Sequence, residues 1–422
     1  MSVRITPGDR SQHDNDSPTR SRGSLRRFAQ AIRQTFASPR ALGIDTPLAL
    51  YVHLPWCERK CPYCDFNSHP LRGQLPAEEY TKALLSDLHD ALPLTDERVF
   101  DTVFFGGGTP SLFPADSIKT LLESLTSAKR LADQAEITLE ANPGSAEAGR
   151  FSGYRDAGVN RLSIGVQSFN DEHLSLLGRI HSADQAHRAC QAAHEAGFDN
   201  FNIDLMFGLP TQTPVEATDD LDAAISERPT HLSLYHLTIE PNTAFAAEPP
   251  ELPSDDVSWD IRCAVQERAQ AAGFQHYEVS AFARPGRECH HNLNYWRFGD
   301  YLGIGAGAHS KLTLGSGIHR WHRPRHPKAY VESMAQPSTP QIGCALETAD
   351  QTFEFLLNAL RLKEGFHPKL FKQRTGMDWP FESDEVQGAI ADGLLYCSSE
   401  QIRTTALGWR FLDELLQRFL KP

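Results

Sequence analysis

Between residue 46 and about 285 the chain alternates short apolar runs with stretches of helical periodicity. The strand candidates are 47–54, 100–105, 136–141, 161–166, 201–207, 231–239 and 276–282. Helical patterns separate them at 77–92, 115–128, 183–196 and 256–272. Repeated strand–helix units close into a parallel sheet or barrel, so the fold class is α/β. In such folds the chemistry gathers at the carboxyl ends of the strands. Polar residues recur there: Glu140 and Asn142 at the third strand, Gln167 at the fourth, Asp204 in the fifth and Thr238 near the end of the sixth. Recurrence at one end of successive strands predicts one continuous pocket.

Three cysteines follow the first strand: Cys57-Glu-Arg-Lys-Cys61-Pro-Tyr-Cys64, spaced C-x3-C-x2-C. Thiolates this close in a loop suit one compact metal centre. Three of them on a four-iron cube leave one iron open to a small molecule, whereas a zinc site needs a fourth ligand, for which His69 is a candidate. After the second strand comes Gly106-Gly107-Gly108-Thr109-Pro110. Read alone, it is a tight turn. Beside the cysteines, a backbone without side chains lets a ligand approach closely. Glu140 there is either solvated or set against a cationic cofactor. Gln167, Arg179 and Asp204 serve either the ligand or a structural network.

The remaining composition mostly excludes. A net charge of −13 argues against a general nucleic-acid binder. The other five cysteines are scattered, which suits a reducing compartment. No apolar run reaches the about 20 residues of a membrane span, and no secretory leader is visible, so the expected location is cytoplasmic. Residues 1–45 stand apart with eight Arg, no Lys and four Asp. Leu25, Phe28, Ile32 and Phe36 share a helical face among arginines. That segment reads as a membrane-surface helix giving transient membrane association, a transit peptide, a disordered tail, or translation from a start codon placed too far upstream.

Residues from about 46 to 420 resemble the coproporphyrinogen dehydrogenase-like family of radical S-adenosylmethionine (SAM) proteins. The resemblance rests on Tyr51-Val-His-Leu-Pro-Trp-Cys57, Phe105-Gly-Gly-Gly-Thr-Pro-Ser111, Leu162-Ser-Ile-Gly-Val-Gln-Ser-Phe169, Leu177-Gly-Arg-Ile-His181 and Asn202-Ile-Asp-Leu-Met-Phe-Gly-Leu-Pro210. It implies a partial (β/α)6 TIM-like barrel over 46–310 and a [4Fe-4S] cluster on Cys57, Cys61 and Cys64. It also implies SAM at Tyr51, the Tyr63 backbone, Gly107 and Glu140. In the porphyrin-forming branch a second SAM lies nearby, at positions matching Gly108, Thr109, Gln167, Arg179 and Asp204. Thr238 belongs with the same pocket. So does His309, which ends the glycine-rich strand Gly303-Ile-Gly-Ala-Gly-Ala-His309.

Two departures select a branch. The porphyrin-forming enzymes resemble C-x3-C-x2-C-x-C, and Phe66 stands at the fourth cysteine's position here. The segment His291-Asn292-Leu-Asn-Tyr295-Trp296, with Cys64-Asp-Phe-Asn-Ser-His69, resembles the haem-chaperone branch. That implies haem as ligand and haem-accepting proteins, notably membrane-bound respiratory enzymes, as partners, without coproporphyrinogen dehydrogenase activity. Imidazole is a common axial ligand of haem iron, and Tyr295 and Trp296 offer flat faces for a porphyrin. His291 has the alternative of a satisfied core or surface histidine. The segment His319-Arg-Trp-His-Arg-Pro-Arg-His326 reads as a propionate site or a solvated loop.

Residues 311–350, rich in proline, read as a loop-rich connection. The tail, 351–422, reads as a HemN-type cap of winged-helix-like α+β build. Its pattern is a helix ending at Gly365, a second near 383–392, two short strands at 393–396 and 402–404, and a last helix over 405–420. Its lack of a basic recognition face favours a lid over a nucleic-acid binder. Three functions remain: a haem chaperone, a radical enzyme decarboxylating coproporphyrinogen, and a radical enzyme with another substrate.

Overall fold

A computed structural model describes residues 46–144, 149–335, 343 and 345–420. The readings made of residues 1–45, Pro337 and Pro340 fall outside that range. One eleven-stranded sheet dominates. Its strands, in chain order, are β1 (Leu48–Leu54), β2 (Phe100–Gly107), β3 (Leu131–Ala141), β4 (Arg161–Gln167), β5 (Phe201–Phe207), β6 (His231–His236), β7 (Gln275–Glu278), β8 (Ala281–Ala283), β9 (Asp300–Ile304), β10 (His309–Leu314) and β11 (Gly317–His322). Their spatial order is β11-β10-β9-β1-β2-β3-β4-β5-β6-β8-β7.

Strands β1 to β6 lie parallel in sequence order, joined by helices, as the alternation predicts. Ala77–Ala91, Ala115–Ser127, Ala183–Glu195 and Pro214–Ser226 are the main crossovers, and Asp255–Ala271 follows β6. Each buries an apolar stripe against the sheet, for example Leu84 and Leu88 of the first and Ile118, Leu121 and Leu125 of the second. Local signals fix where helices begin. Ser182 with Gln185, and Thr213 with Glu216, form capping boxes that satisfy first-turn amides. The result is the partial α/β barrel that the sequence implied.

Two expectations are corrected, and one strand is added to the sheet. The run 276–282 is not one strand: it turns at Val279-Ser280 into the antiparallel pair β7–β8. A seventh parallel strand, β9, returns to pair outside β1, with Leu48 opposite Asp300. The segment 311–350 is not a loop-rich connection. It contains most of the β10–β11 hairpin and the helix Pro327–Met334. Buried ion pairs hold this addition. Lys311 and Arg98 both reach the Asp300 carboxylate, at 3.1 and 2.8 Å, and Arg323 pairs with buried Asp87.

The tail forms the α+β unit expected of it: helices Thr348–Ala359, Pro368–Thr375 and Asp384–Ala391, the hairpin Leu395–Cys397/Ile402–Thr404, and helices Ala406–Arg410 and Leu412–Gln417. The last helix is broken at Phe411, whose φ of −111° and ψ of 43° are not helical. The structure adds the helix Pro368–Thr375, for which Pro368 at its first turn and left-handed Gly376 at its end are start and stop signals. Phe355, Phe366, Phe371 and Trp379 make an aromatic core that also takes in Phe298 and Ile318 from the barrel. The tail therefore packs directly on the barrel.

Candidate functional site

A cavity of about 580 Å³ opens against the parallel strands, lined from their amino-terminal residues Arg161, Asn202 and His231 to their carboxyl ends. It is continuous from the cysteine loop to the helix His290–Trp296. Side chains of strand residues alternate between the two faces. The inward set is thereby fixed: Arg161, Ser163, Gly165 and Gln167 on β4, Asn202, Asp204 and Met206 on β5, and His231, Ser233 and Tyr235 on β6.

Cys57, Cys61 and Cys64 all stand on this wall. Arg179 directs Nη1 at the Cys61 Sγ (3.5 Å), while its Nη2 donates to Asn142 Oδ1 (2.6 Å) and the Gly165 carbonyl (2.8 Å). Cys64 Sγ lies 3.6 Å from Ser68 Oγ. Burial pushes the Cys57 thiol up to about 11, against a hydrogen bond to Thr109. Such a thiol deprotonates when a metal takes the sulfur. Three thiols beside a cationic guanidinium fit an iron–sulfur cluster of net negative charge. Among the described residues no three His, Cys, Asp or Glu converge tightly enough for a single ion. His69, the candidate fourth zinc ligand, instead bonds Asn67 (3.3 Å) and packs edge-on against His326.

The glycine run lies beside the cysteine loop, for a reason different from the one expected. A Cβ on Gly107 would meet the His53 ring at 2.5 Å, and its φ is +119°. A Cβ on Gly108 would meet the Trp56 carbonyl oxygen at 2.5 Å. These glycines let the protein's own strand β1 and the loop after it close in, and the backbone left bare lines the cavity. Gly107 donates its N–H to Glu140 Oε2 at 3.0 Å. Glu140 is deep enough that desolvation, with Asp204 nearby, pushes its carboxyl up to about 8. Asp204 is also raised by burial, although Asn202 (2.8 Å) and Ser163 (3.2 Å) donate to it. Gln167 adopts φ +70° where β4 bulges against β5. A left-handed non-glycine at a cavity is strained, a feature that clusters at functional sites.

Tyr51, Tyr63, Gly107, Gly108, Thr109, Glu140, Gln167, Arg179, Asp204 and Thr238 all line this one cavity, together with His291, Tyr295 and Trp296. His309 does not. It begins β10 instead of ending a strand, after a turn at Gly305–Ala308, and is exposed opposite His322. The His319–His326 segment is a strand and its edge, not a free loop: His319 contacts Ser316 and the Gly343 carbonyl, and Arg320 and Arg323 are paired with Glu354 and Asp87.

Comparison with known proteins decides the lineage. The radical SAM superfamily profile matches residues 51–224, and the HemN C-terminal domain profile matches 346–411. The Heme chaperone HemW of Escherichia coli is 48% identical, over 89% of this chain and 98% of its own. This chain belongs to the HemW family. The HemW of Haemophilus influenzae is 46% identical over the same share of this chain. A mouse relative, radical S-adenosyl methionine domain-containing protein 1, mitochondrial, is 36% identical over 89% of this chain and 88% of its own. The solved coproporphyrinogen III oxidase (HemN) of Escherichia coli, a radical SAM enzyme, superposes with a TM-score of 0.76 at 26% identity, covering 93% of each chain. Family membership implies a [4Fe-4S] cluster and SAM, and the HemW name implies haem.

The haem motif is held differently from its expectation. His291 is 1% exposed. Its Nδ1 lies 2.8 Å from Thr102 Oγ1 and its Nε2 3.1 Å from the Tyr295 hydroxyl, so here neither nitrogen is free for iron. Its ring packs on Phe104. Tyr295 meets Tyr301 edge-on, and Arg361 lies over the Trp296 ring at 4.3 Å, so each ring already has a protein partner. Sequence reasoning passed over Arg161, Asn202, His231, Cys289 and Arg361. The first three follow from the period of two on β4 to β6. Cys289 follows from its place just before the haem motif. Nothing in the sequence announces Arg361, which arrives from the tail.

Among the described residues no helix is long and apolar enough to cross a membrane.

Proposed function

We propose that this chain is a haem chaperone: it binds haem, carries a [4Fe-4S] cluster on Cys57, Cys61 and Cys64, holds SAM, and passes haem to haem proteins, including membrane-bound respiratory enzymes. The observation that supports this most is the 48% identity to a HemW spanning nearly the whole of both chains. The continuity of the cavity from the cysteine loop to the helix bearing His291 agrees with it.

The cluster, when bound, supplies an open iron for SAM and an electron for reductive chemistry. The chain's own residues do the rest. Arg179 lies against the Cys61 thiol and ties it to Asn142. Glu140, anchored by the Gly107 amide, offers a half-buried carboxyl to the ammonium or sulfonium of SAM. Tyr51, Tyr63, Gly108, Thr109, Gln167, Asp204 and Thr238 complete that pocket. His291, Tyr295 and Trp296 face the haem end, with His291 reaching iron only after Tyr295 or Thr102 releases it. Residues 46–335 act as the barrel and 346–420 as its cap. The working location is the cytoplasm, with transient contact at the membrane.

The test is anaerobic reconstitution with iron and sulfide, then haem titration followed by transfer to an apo haem protein. Uptake near one haem per chain and delivery to the acceptor are expected. The HemN likeness favours a second reading, radical decarboxylation of coproporphyrinogen. Catalytic formation of protoporphyrinogen with SAM and a reductant would establish it in place of the chaperone.

A further inference from the structure

Arg361 belongs to the tail yet lines the barrel's cavity. It follows the helix Thr348–Ala359, and its main chain is pinned to the barrel. Leu362 bridges to Glu278, and the Lys363 N–H donates to the Tyr277 carbonyl at 3.0 Å. Its guanidinium is then held from two sides. Nη2 donates to Glu278 Oε2 at 3.3 Å, and Cζ lies over the Trp296 ring, 4.3 Å from its centroid. Glu278 is itself oriented, since its Oε1 accepts the Ser280 N–H at 3.0 Å.

This arrangement leaves donors unused. Arg361 Nε and Trp296 Nε1 are both buried without a hydrogen-bond partner among the described residues. Arg361 Nη1 donates to no described residue either. Buried unpaired donors are uncommon and call for an explanation. A guanidinium stacked on an aromatic ring, with one edge tied and the rest of its fork open, is preorganised for a carboxylate.

We propose that Arg361, braced by Trp296 and Glu278, binds a carboxylate of the tetrapyrrole in this cavity, namely a haem propionate. The inference rests on the haem-binding reading above and adds which chemical group is recognised, and by which residue. Because Arg361 comes from the tail while Trp296 and Glu278 come from the barrel, an occupied propionate site also clasps cap to barrel.

The carboxylate of SAM is the other source of the same chemistry, and the test separates them. The reconstituted full chain is titrated with haem and with its dimethyl ester, which lacks the propionate charges. The parent should prefer the free acid by about tenfold or more. Arg361→Gln should abolish that preference and leave SAM affinity unchanged, while Glu278→Gln should keep it. A preference that survives in Arg361→Gln overturns this inference alone. Weakened SAM binding with intact haem preference assigns Arg361 to the amino-acid carboxylate and overturns it too. No binding of either porphyrin by the parent overturns both this and the haem reading. Should Arg361→Gln fail to fold, Arg361→Lys, which keeps charge but not the fork, must lower the ratio by about threefold or more; an unchanged ratio counts against the proposal.

Discussion

The Glu136 carboxylate accepts the backbone N–H of His291 at 3.0 Å. It also accepts the His290 N–H at 3.2 Å and lies 3.6 Å from the Cys289 thiol. A carboxylate of β3 thus caps the first turn of the short helix that carries the haem motif, where the helix amides are otherwise unsatisfied. Glu136→Gln replaces one acceptor oxygen by an NH2 that faces donors. Stability should fall by about 1–3 kcal/mol, read as a lower urea midpoint with unchanged slope. An unchanged midpoint would mean that the helix is held by packing alone.

His291 is pinned on both sides, and burial holds its imidazole down at about 3. Burial likewise holds His181 and His276 at about 4. All three are neutral in the fold near pH 7. Below their ordinary value of about 6.5 the unfolded chain takes up protons that the folded chain refuses. These groups therefore cost stability as the pH falls from about 6.5 towards 4. Denaturation midpoints should drop between pH 7 and 5. Thr102→Val, which strands the buried Nδ1, should cost about 1–3 kcal/mol at pH 7. If Thr102→Val is neutral, the 2.8 Å contact contributes nothing net.

The three cysteines carry the cluster prediction. Changing Cys57, Cys61 and Cys64 to Ala should remove bound iron, acid-labile sulfide and visible absorbance from anaerobically reconstituted protein. The fold should persist, because the loop they occupy is only partly buried. Iron retained at the parental level in the triple variant would refute the assignment.

Much of this was legible in the sequence because it is periodic or local. The apolar run 201–207 coincides with strand β5, and 47–54 with β1 to within one residue, since both are continuous apolar runs bounded by turns. The part of the cavity wall at the carboxyl ends followed from the polar residues there, such as Glu140, Gln167 and Asp204. What stayed hidden depends on contacts far apart in sequence. β9 pairs with β1 across about 250 positions, as Leu48 with Asp300. Its glycine-rich segment placed His309 at a strand end, whereas Gly305 and Gly307 turn the chain and His309 starts the next strand. Arg361 on Trp296 is likewise a tertiary fact. The His291 motif was visible as a motif, but its saturated hydrogen bonding was not, because Thr102 and Glu136 come from other strands.

Gly107 combines two constraints, a φ of +119° and a His53 ring 2.5 Å from any Cβ. Gly107→Ala should be destabilising by at least about 1–3 kcal/mol, beyond the few tenths expected of a surface change. His53→Ala in the same chain opens the space but leaves the backbone strain. The double variant should therefore recover part of the loss and not all of it. Full recovery would show that contact alone imposes glycine here, and no recovery that φ alone does.

Glu140 titrates against the histidines. Burial, reinforced by Asp204, raises its carboxyl to about 8, whereas the unfolded chain ionises near the ordinary value of 4.5. Between those values the folded chain holds a proton that the unfolded chain has lost, so this group costs stability progressively as pH rises from about 4.5 to 8. Glu140→Gln keeps the shape and removes the titration. Without added SAM, the variant should melt above the parent at pH 8, and the gap should shrink as the pH is lowered to 5. The same substitution removes the negative charge that a cationic ligand would draw out, so SAM should bind the variant more weakly. The two effects have opposite sign in one assay: thermal shift without SAM favours Glu140→Gln, and the extra shift on adding SAM favours the parent. A variant less stable than the parent at pH 8 would show that the Gly107 amide holds an ionised carboxylate, and that burial does not govern this group.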